Sequence, residues 1–150
     1  MKKIINAKTP EDIIDLGRKI GKLAFPNMVI TMEGDLGAGK TTMTKGIGES
    51  LEIKRVINSP TFTIMKTYEG KMPLYHMDVY RISNESGDEY LEEYFELGGV
   101  TVIEWANNIS DIIPDDRLEI NISIDNTGIR IVELESNDSK YIDLINKLEN

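Results

Sequence analysis

The chain has 150 residues, the size of a single domain over residues 1–150 that can bury a sizeable core. It carries 17 basic against 26 acidic residues, and the net charge of −9 argues against a broad nucleic-acid-binding surface, which needs clustered lysine and arginine. Disulfide and thiolate chemistry are excluded because there is no cysteine, and the apolar runs are too short to cross a membrane, so we expect a cytoplasmic protein.

The N-terminal part of the sequence predicts a helix followed by a buried strand. "TPED" at residues 9–12 is typical of a helix start, with a capping hydroxyl, proline at the first position and acids at the positive end. Apolar residues then recur at helical spacing as far as about Ala24. The apolar run at residues 28–32 predicts a short buried strand that leads directly into a glycine-rich loop.

A second helix is expected after this loop, beginning at Lys40 or Thr41. Gly46 and Gly48 interrupt it, and each weakens a helix by about 1 kcal/mol relative to alanine. The alternative is that these glycines allow close packing against a neighbouring element.

The rest of the chain mixes hairpins with short helices. Hairpins are predicted at residues 62–82 and 117–136, short helices at 88–96 and 109–113, a central strand at 100–103, and a closing helix from 138 onward. This order of elements predicts an α/β fold with a P-loop NTPase-like mixed sheet, partly antiparallel and flanked by helices.

The glycine-rich loop carries the strongest chemical signal. "GDLGAGKTT", residues 34–42, matches G-x-x-x-x-G-K-[ST], in which glycines let backbone N–H groups turn toward phosphate oxygens. The following helix points its positive end at the same phosphates, while Lys40 can reach the β- and γ-phosphates and Thr41 can bind Mg²⁺. The predicted nucleotide-binding residues here are Gly34, Asp35, Leu36, Gly37, Ala38, Gly39, Lys40 and Thr41.

Two strand-end carboxylates are candidates for metal binding and catalysis. Glu104 follows the run at residues 100–103, where P-loop proteins usually supply a metal-binding carboxylate. Asp78 can hold a metal-bound water or orient the attacking water, although spacing alone supports a solvated strand carboxylate equally well. His76 shares a strand face with Asp78 and is more typical of a hydrogen-bonded structural residue.

Further candidates have weaker signals. Trp105 can cover a nucleotide or pack in the core. Ser59 and Thr61 in "NSPTF" lie about twenty residues after the loop, where switch segments carry a hydroxyl that senses the γ-phosphate. A guanine-reading Asn-Lys-x-Asp after a strand is missing and the arginines form no kinase lid, which favours a compact ATP-binding module. A small-molecule kinase and a nucleotide-gated binding module stay open as alternatives.

Five motifs in order, "GDLGAGKTT", "SPTF", "YHMDVYR", "EEYF" and "VIEW", resemble the TsaE (YjeE) family over about residues 9–106. The resemblance implies an ATPase of bacterial tRNA threonylcarbamoyladenosine biosynthesis, with ATP and Mg²⁺ as its cofactors. Its implied partners are TsaB and TsaD, of which TsaD transfers threonylcarbamoyl to the adenosine beside the anticodon of ANN-decoding tRNAs. Contact with tRNA would therefore be indirect, and the acidic charge fits that expectation.

The resemblance also sharpens the roles of individual residues. It implies that Glu104 is catalytic and, with Thr41, a metal ligand, and that Asp78 is catalytic. It adds three nucleotide-site residues: Thr42, Trp105 and Thr61. No residue beyond Ile109 is carried over. Phosphoryl transfer needs extra positive charge, and only Arg81 in "DVYR" is a candidate, so we expect slow hydrolysis alone and faster hydrolysis with partners.

Overall fold

A mixed β-sheet with helices on both faces forms the chain in this computed structural model, which describes residues 1–35, 37–60, 64–80 and 89–148. The strands are β1 (Lys2–Ala7), β2 (Met28–Glu33), β3 (Met65–Tyr68), β4 (Leu74–Asp78), β5 (Val100–Glu104), β6 (Leu118–Ile124) and β7 (Arg130–Glu135). The helices are α1 (Pro10–Lys22), α2 (Lys40–Ser50) and α3 (Ser139–Lys147), with 3-10 helices at Glu89–Glu96 and Ala106–Ile109. The predicted fold class is confirmed.

The strand order places a parallel core between two antiparallel edges. The order is β1-β7-β6-β2-β5-β4-β3, and the four central strands β6, β2, β5 and β4 run parallel. The predicted hairpins supply the antiparallel pairs β3–β4 and β6–β7. Because parallel strands end at the same edge, the C-terminal ends of β2, β4 and β5 meet there, and ligands bind at such edges in open α/β sheets.

Both faces of the central strands are buried. On β2, Met28, Ile30 and Met32 pack into the cluster that contains the apolar residues of α1 and α2. Val29, on the opposite face, packs with Leu91 and other residues near the two 3-10 helices. Burial on both faces explains why this strand is a continuous apolar run rather than an alternating one.

The helix termini follow the sequence signals. The Thr9 side chain accepts a hydrogen bond from the Asp12 N–H, and the Asp12 carboxylate accepts one from the Thr9 N–H. Pro10 occupies the first helical position. Helix α2 begins at Lys40, as predicted. No helix in the described ranges combines the length and apolar character needed to cross a membrane.

Helices α1 and α2 approach each other through glycines. A Cβ atom added at Gly46 would lie 2.2 Å from the backbone oxygen of Ile14, and one at Gly17 would lie 2.2 Å from that of Met43. These distances are far below van der Waals contact, so only glycine permits this spacing. Of the two readings of Gly46, the structure favours close packing.

One local prediction differs from the structure, and one strand is absent from the predictions. The short helix expected at residues 109–113 lies earlier, at Ala106–Ile109, because the Glu33 carboxylate accepts the N–H of Asn107 at 2.9 Å and fixes the helix start directly after β5. Strand β1 was not predicted. It buries only Ile5 and Ala7, and it forms through pairing with β7, far away along the chain.

Replacing Tyr141 by phenylalanine is expected to lower the free energy of unfolding by about 1–3 kcal/mol. The buried N–H of Val29 donates to the Tyr141 hydroxyl at 2.9 Å, and phenylalanine leaves that N–H without an acceptor. Burial raises the pKa of the Tyr141 phenol above its usual 10.0, so ionisation favours the unfolded chain and the advantage of tyrosine shrinks at higher pH. Urea unfolding measures the difference, with the half-exposed Tyr90→Phe as control. Equal losses in both variants would contradict the assignment.

Candidate functional site

The predicted phosphate-binding loop joins β2 to α2 at the C-terminal edge of the parallel strands. Gly39 has φ of 121°, a conformation that L side chains rarely adopt. Gly34 lies so close to β6 that an added Cβ would be 2.4 Å from the backbone oxygen of Ile122. These two glycines are therefore required by backbone geometry and by close approach, respectively.

The loop ends in a helix start that suits an anion. Gly39 is the N-cap of α2, and within the described ranges no side chain caps the helix. The N–H of Met43 is bonded to the Gly39 oxygen, so the N–H groups of Lys40, Thr41 and Thr42 precede the first helical hydrogen bond. Phosphate oxygens are the usual acceptors for such groups, and the helix dipole favours them.

A cleft of about 500 Å³ opens at this helix start. Its lining residues come from the loop, α2 and the ends of β4 and β5: Gly37, Gly39, Lys40, Thr41, Thr42, Ser59, Asp78, Tyr80, Glu104 and Trp105. A larger groove of about 970 Å³ lies elsewhere and is lined by many acidic residues. The smaller cleft is the candidate site because the phosphate loop and the strand-end carboxylates converge there.

Lys40 is buried at the floor of the cleft. Its ammonium donates to the backbone oxygen of Gly34 and lies 4.0 Å from the centroid of the Trp105 ring. Burial lowers the pKa of Lys40 below its ordinary 10.5, and the carboxylates of Glu104 and Glu33 oppose that shift. A phosphate would replace neutral partners by an anionic one and so stabilise the ammonium form.

Glu104 is held by two neighbours on one of its oxygens. The Thr41 hydroxyl donates to Oε2 of Glu104 at 3.1 Å, and Nε2 of His76 lies 2.6 Å from the same oxygen. The His76 ring is fully buried, and its Nδ1 has no hydrogen-bond partner in the described part of the chain. We assign the donating N–H to Nε2, because it faces the Glu104 oxygen while Nδ1 has no acceptor within reach among the described residues.

Asp78 forms the neighbouring wall of the cleft. In the parallel register of β4 and β5 it lies opposite Glu104, and it is only 6% exposed. Its Oδ1 accepts the N–H of Tyr80 at 3.1 Å, and its Oδ2 accepts from the Ser59 hydroxyl at 3.3 Å. The carboxylate is therefore fixed in direction, which suits a residue that orients a small ligand.

The oxygen donors of the cleft fit Mg²⁺ better than a metal that needs a closed protein cage. Thr41 and Glu104 lie in contact and offer a hydroxyl and a carboxylate, the hard ligands that Mg²⁺ prefers. No group of three or more His, Cys, Asp or Glu side chains arranged to hold a metal occurs in the described ranges. Mg²⁺ in nucleotide sites is usually completed by phosphates and water, so two protein ligands suffice.

Trp105 lies over the cleft rather than wholly in the core. It has φ of 63° at the turn after β5, and its ring centroid is 4.9 Å from that of Tyr80. The N–H of Asn107 donates to the Glu33 carboxylate and so holds this turn. Burial raises the pKa of the Glu33 carboxyl above its ordinary value. The structure thus places the indole beside Lys40, where it can contact a bound nucleotide.

Most of the predicted site residues meet at the cleft. Lys40, Thr41, Thr42, Asp78, Glu104 and Trp105 line it with Gly37 and Gly39. Gly34, Asp35 and Ala38 belong to the adjoining loop but are absent from the lining. Leu36, Thr61 and Arg81 lie outside the described residues.

Two contacts at the site are not indicated by the sequence. His76 holds Glu104, although its spacing from Asp78 signals only a shared strand face. Arg130 donates to the backbone of the phosphate loop from β7, and no local pattern marks it.

Replacing His76 by leucine is expected to lower any metal-dependent turnover at this site by about 10–100-fold. Leucine removes the donor that fixes Glu104, so Mg²⁺ should also be needed at higher concentration. The measurement is hydrolysis rate against Mg²⁺ concentration, with His76→Gln as a partial rescue because its amide can donate to the same oxygen. If both variants kept the wild-type Mg²⁺ dependence, His76 would have only a packing role.

Known proteins resemble this chain over most of its length. The family model described as "Threonylcarbamoyl adenosine biosynthesis protein TsaE" matches residues 7–132. The TsaE protein of Bacillus subtilis is 53% identical over 112 residues, covering 74% of this chain and 71% of that protein. The TsaE protein of Nostoc is 37% identical over 141 residues, covering 90% and 86%, respectively. The crystal structure of Bacillus subtilis YdiB superposes with a TM-score of 0.87 at 38% identity, covering 98% of this chain and 93% of that one. The extent of these matches shows that the chain belongs to the TsaE family.

Proposed function

We propose that this chain is the ATP-hydrolysing subunit of tRNA threonylcarbamoyladenosine biosynthesis, acting in the cytoplasm with TsaB and TsaD. Its relatives are proteins of tRNA threonylcarbamoyladenosine biosynthesis, which gives the pathway. One observation carries the ATPase role: the Thr41 hydroxyl, at the uncapped start of α2, donates to the strand-end carboxylate of Glu104 at 3.1 Å beside the buried Lys40. A triphosphate with Mg²⁺ needs this combination of groups.

The roles in ATP binding follow from the positions of the groups. The first N–H groups of α2 and the Lys40 ammonium would bind the phosphates, and the Thr41 hydroxyl and Glu104 carboxylate would hold Mg²⁺. When bound, Mg²⁺ supplies positive charge that offsets the charge developing on the transferred phosphoryl group. His76 keeps the Glu104 carboxylate turned toward Thr41.

Asp78 is the residue that orients the attacking water. Its carboxylate is fixed by Ser59 and by the Tyr80 N–H, and it faces the same cleft as Lys40. Water attacks the γ-phosphorus, its oxygen forms the new P–O bond, the bond to the ADP oxygen breaks, and the water's protons leave with the inorganic phosphate. Trp105, whose ring centroid lies 4.0 Å from the Lys40 ammonium, contacts the bound nucleotide.

Partner dependence is proposed from the arrangement of charge. No arginine lines the cleft within the described part of the chain, while phosphoryl transfer gains much from an added cation. A cation supplied by the TsaB–TsaD complex would complete the site. The net charge of −9 fits a subunit that reaches tRNA through these partners rather than directly.

The first experiment measures ATP hydrolysis by the chain alone and with TsaB, TsaD and tRNA, using Glu104→Ala as the blank. Stimulation by the partners that is lost in the variant would support the proposal. Fast turnover alone, unchanged by partners, would contradict it and direct the search to a small phosphoryl acceptor. Tight binding of tRNA by the isolated chain at physiological salt would contradict the indirect contact with tRNA.

A further inference from the structure

Arg130, the first residue of β7, reaches across to the phosphate loop. Its Nε donates to the backbone oxygen of Ala38 at 2.9 Å, and its Nη2 donates to that of Gly37 at 3.4 Å. The side chain also lies against Gly39, where an added Cβ would be 3.7 Å from Nε. The guanidinium thus lies along three consecutive residues of the loop.

These hydrogen bonds determine which way the loop N–H groups face. In a trans peptide the C=O and the following N–H point in opposite directions. Holding the Ala38 oxygen on the Arg130 side therefore turns the Gly39 N–H to the opposite side. Holding the Gly37 oxygen on the Arg130 side likewise turns the Ala38 N–H away from Arg130. That N–H closes a turn by donating to the Asp35 oxygen at 3.0 Å.

The loop needs such an external support because its glycines have little conformational preference. Glycine loses more conformational freedom on ordering than any other residue. If the loop became ordered only when phosphate binds, this entropy loss would lower the affinity for phosphate. Arg130 is anchored to a rigid element, since β7 pairs on one side with β1 and on the other with β6. The planar guanidinium can bond two neighbouring carbonyls at once, which the single ammonium of lysine does less well.

We propose that Arg130 is a positioning residue that pre-organises the phosphate loop for nucleotide by holding the Gly37 and Ala38 carbonyls away from the phosphates. The proposal rests on the nucleotide binding proposed above. It assigns a role in the site to the β6–β7 hairpin, which supplies no lining residue of the cleft.

The test compares Arg130→Met and Arg130→Lys with Arg117→Met as a matched control. Arg117 also donates to a backbone oxygen, that of Pro114 at 2.9 Å, but it lies outside the cleft. Three quantities are measured for each variant: the Kd for Mg·ADP and Mg·ATP, the Tm without nucleotide, and the exchange rate of the Ala38 amide hydrogen, which donates to the Asp35 oxygen.

We expect Arg130→Met to weaken binding of both nucleotides by about tenfold or more and to speed exchange of the Ala38 amide hydrogen. Its Tm should stay near that of Arg117→Met, which binds nucleotide as the wild type does. Arg130→Lys should recover only part of the affinity. If Arg130→Met fails to fold, the affinity of Arg130→Lys alone tests the proposal. Two results would overturn the proposal. In the first, Arg130→Met and Arg130→Lys both bind nucleotide with wild-type affinity. In the second, Arg130→Met misfolds and Arg130→Lys binds nucleotide with wild-type affinity. If instead the wild-type chain bound no nucleotide, the proposed function itself would fail.

Discussion

Replacing Glu104 by glutamine is expected to lower ATP turnover by about 10²–10³-fold. Glutamine keeps the shape of the side chain but removes its negative charge and one of its acceptor oxygens. Glu104 is 3% exposed and accepts from both Thr41 and His76 in the structure. A neutral amide would bind Mg²⁺ weakly. When its oxygen pointed toward the metal, its NH₂ group would face the Thr41 or His76 donor, and two donors cannot form a hydrogen bond with each other.

The measurement is steady-state hydrolysis of ATP as Mg²⁺ is varied, with nucleotide affinity determined separately. Binding of ATP should fall less than turnover, since Lys40 and the loop N–H groups remain. The control is Glu119→Gln on β6, a partly exposed carboxylate that pairs with Arg117 away from the cleft. Turnover in Glu104→Gln equal to that of the control would remove Glu104 from the proposed metal site.

The parts of the site that can be predicted from the sequence are those encoded locally. The loop at residues 34–42 carries its glycines, Lys40 and Thr41 within one short pattern, and a continuous apolar strand leads directly to Glu104. Each of these signals depends only on residues that are neighbours in the chain. Their convergence follows from the rule that parallel strands end at one edge of the sheet.

The contacts that the sequence does not reveal depend on pairing between distant segments. The contact of His76 with Glu104 depends on the register that aligns His76 with Val102 in the parallel pair β4–β5. Arg130 is separated from the Ala38 oxygen by 92 residues and reaches it only once β7 has joined the sheet. A lone histidine or arginine has no periodic pattern that could announce such a contact.

The strand that the sequence does not reveal and the helix that it misplaces both depend on contacts with distant segments. Strand β1 is defined by its partner β7, and the 3-10 helix at Ala106–Ile109 by the carboxylate of Glu33 at the end of another strand. Pro114 is a local stop signal, and it favoured a later helix than the one that this distant hydrogen bond selects. Tertiary contacts therefore override local preference at these positions.

Replacing Gly46 by alanine is expected to destabilise the protein by about 3 kcal/mol, the upper part of the range for overpacking. The new Cβ would lie 2.2 Å from the oxygen of Ile14 and 2.9 Å from the nitrogen of Arg18, and both are backbone atoms of α1. No side chain can rotate away, so one helix must shift. This loss exceeds the gain of about 1 kcal/mol that alanine brings to a helix interior.

Gly48→Ala is a control within the same helix. A Cβ there would meet Cδ1 of Ile57 at 2.1 Å, and that atom is the far end of a flexible side chain which can turn aside. We expect its free energy of unfolding to stay within about 1 kcal/mol of the wild type, since the helix gains what the contact loses. Denaturant unfolding with unchanged m-values measures both variants on one scale.

The same substitution at Gly46 should also weaken nucleotide binding in the fraction that remains folded. Helix α2 begins at Lys40, so a shift that relieves the clash with α1 moves the first N–H groups of the helix and the Lys40 ammonium, which are the proposed phosphate ligands. Affinity for Mg·ADP should therefore fall in Gly46→Ala and hold in Gly48→Ala. If both variants were equally stable and bound nucleotide equally well, the close approach of the two helices would not set the position of the phosphate site.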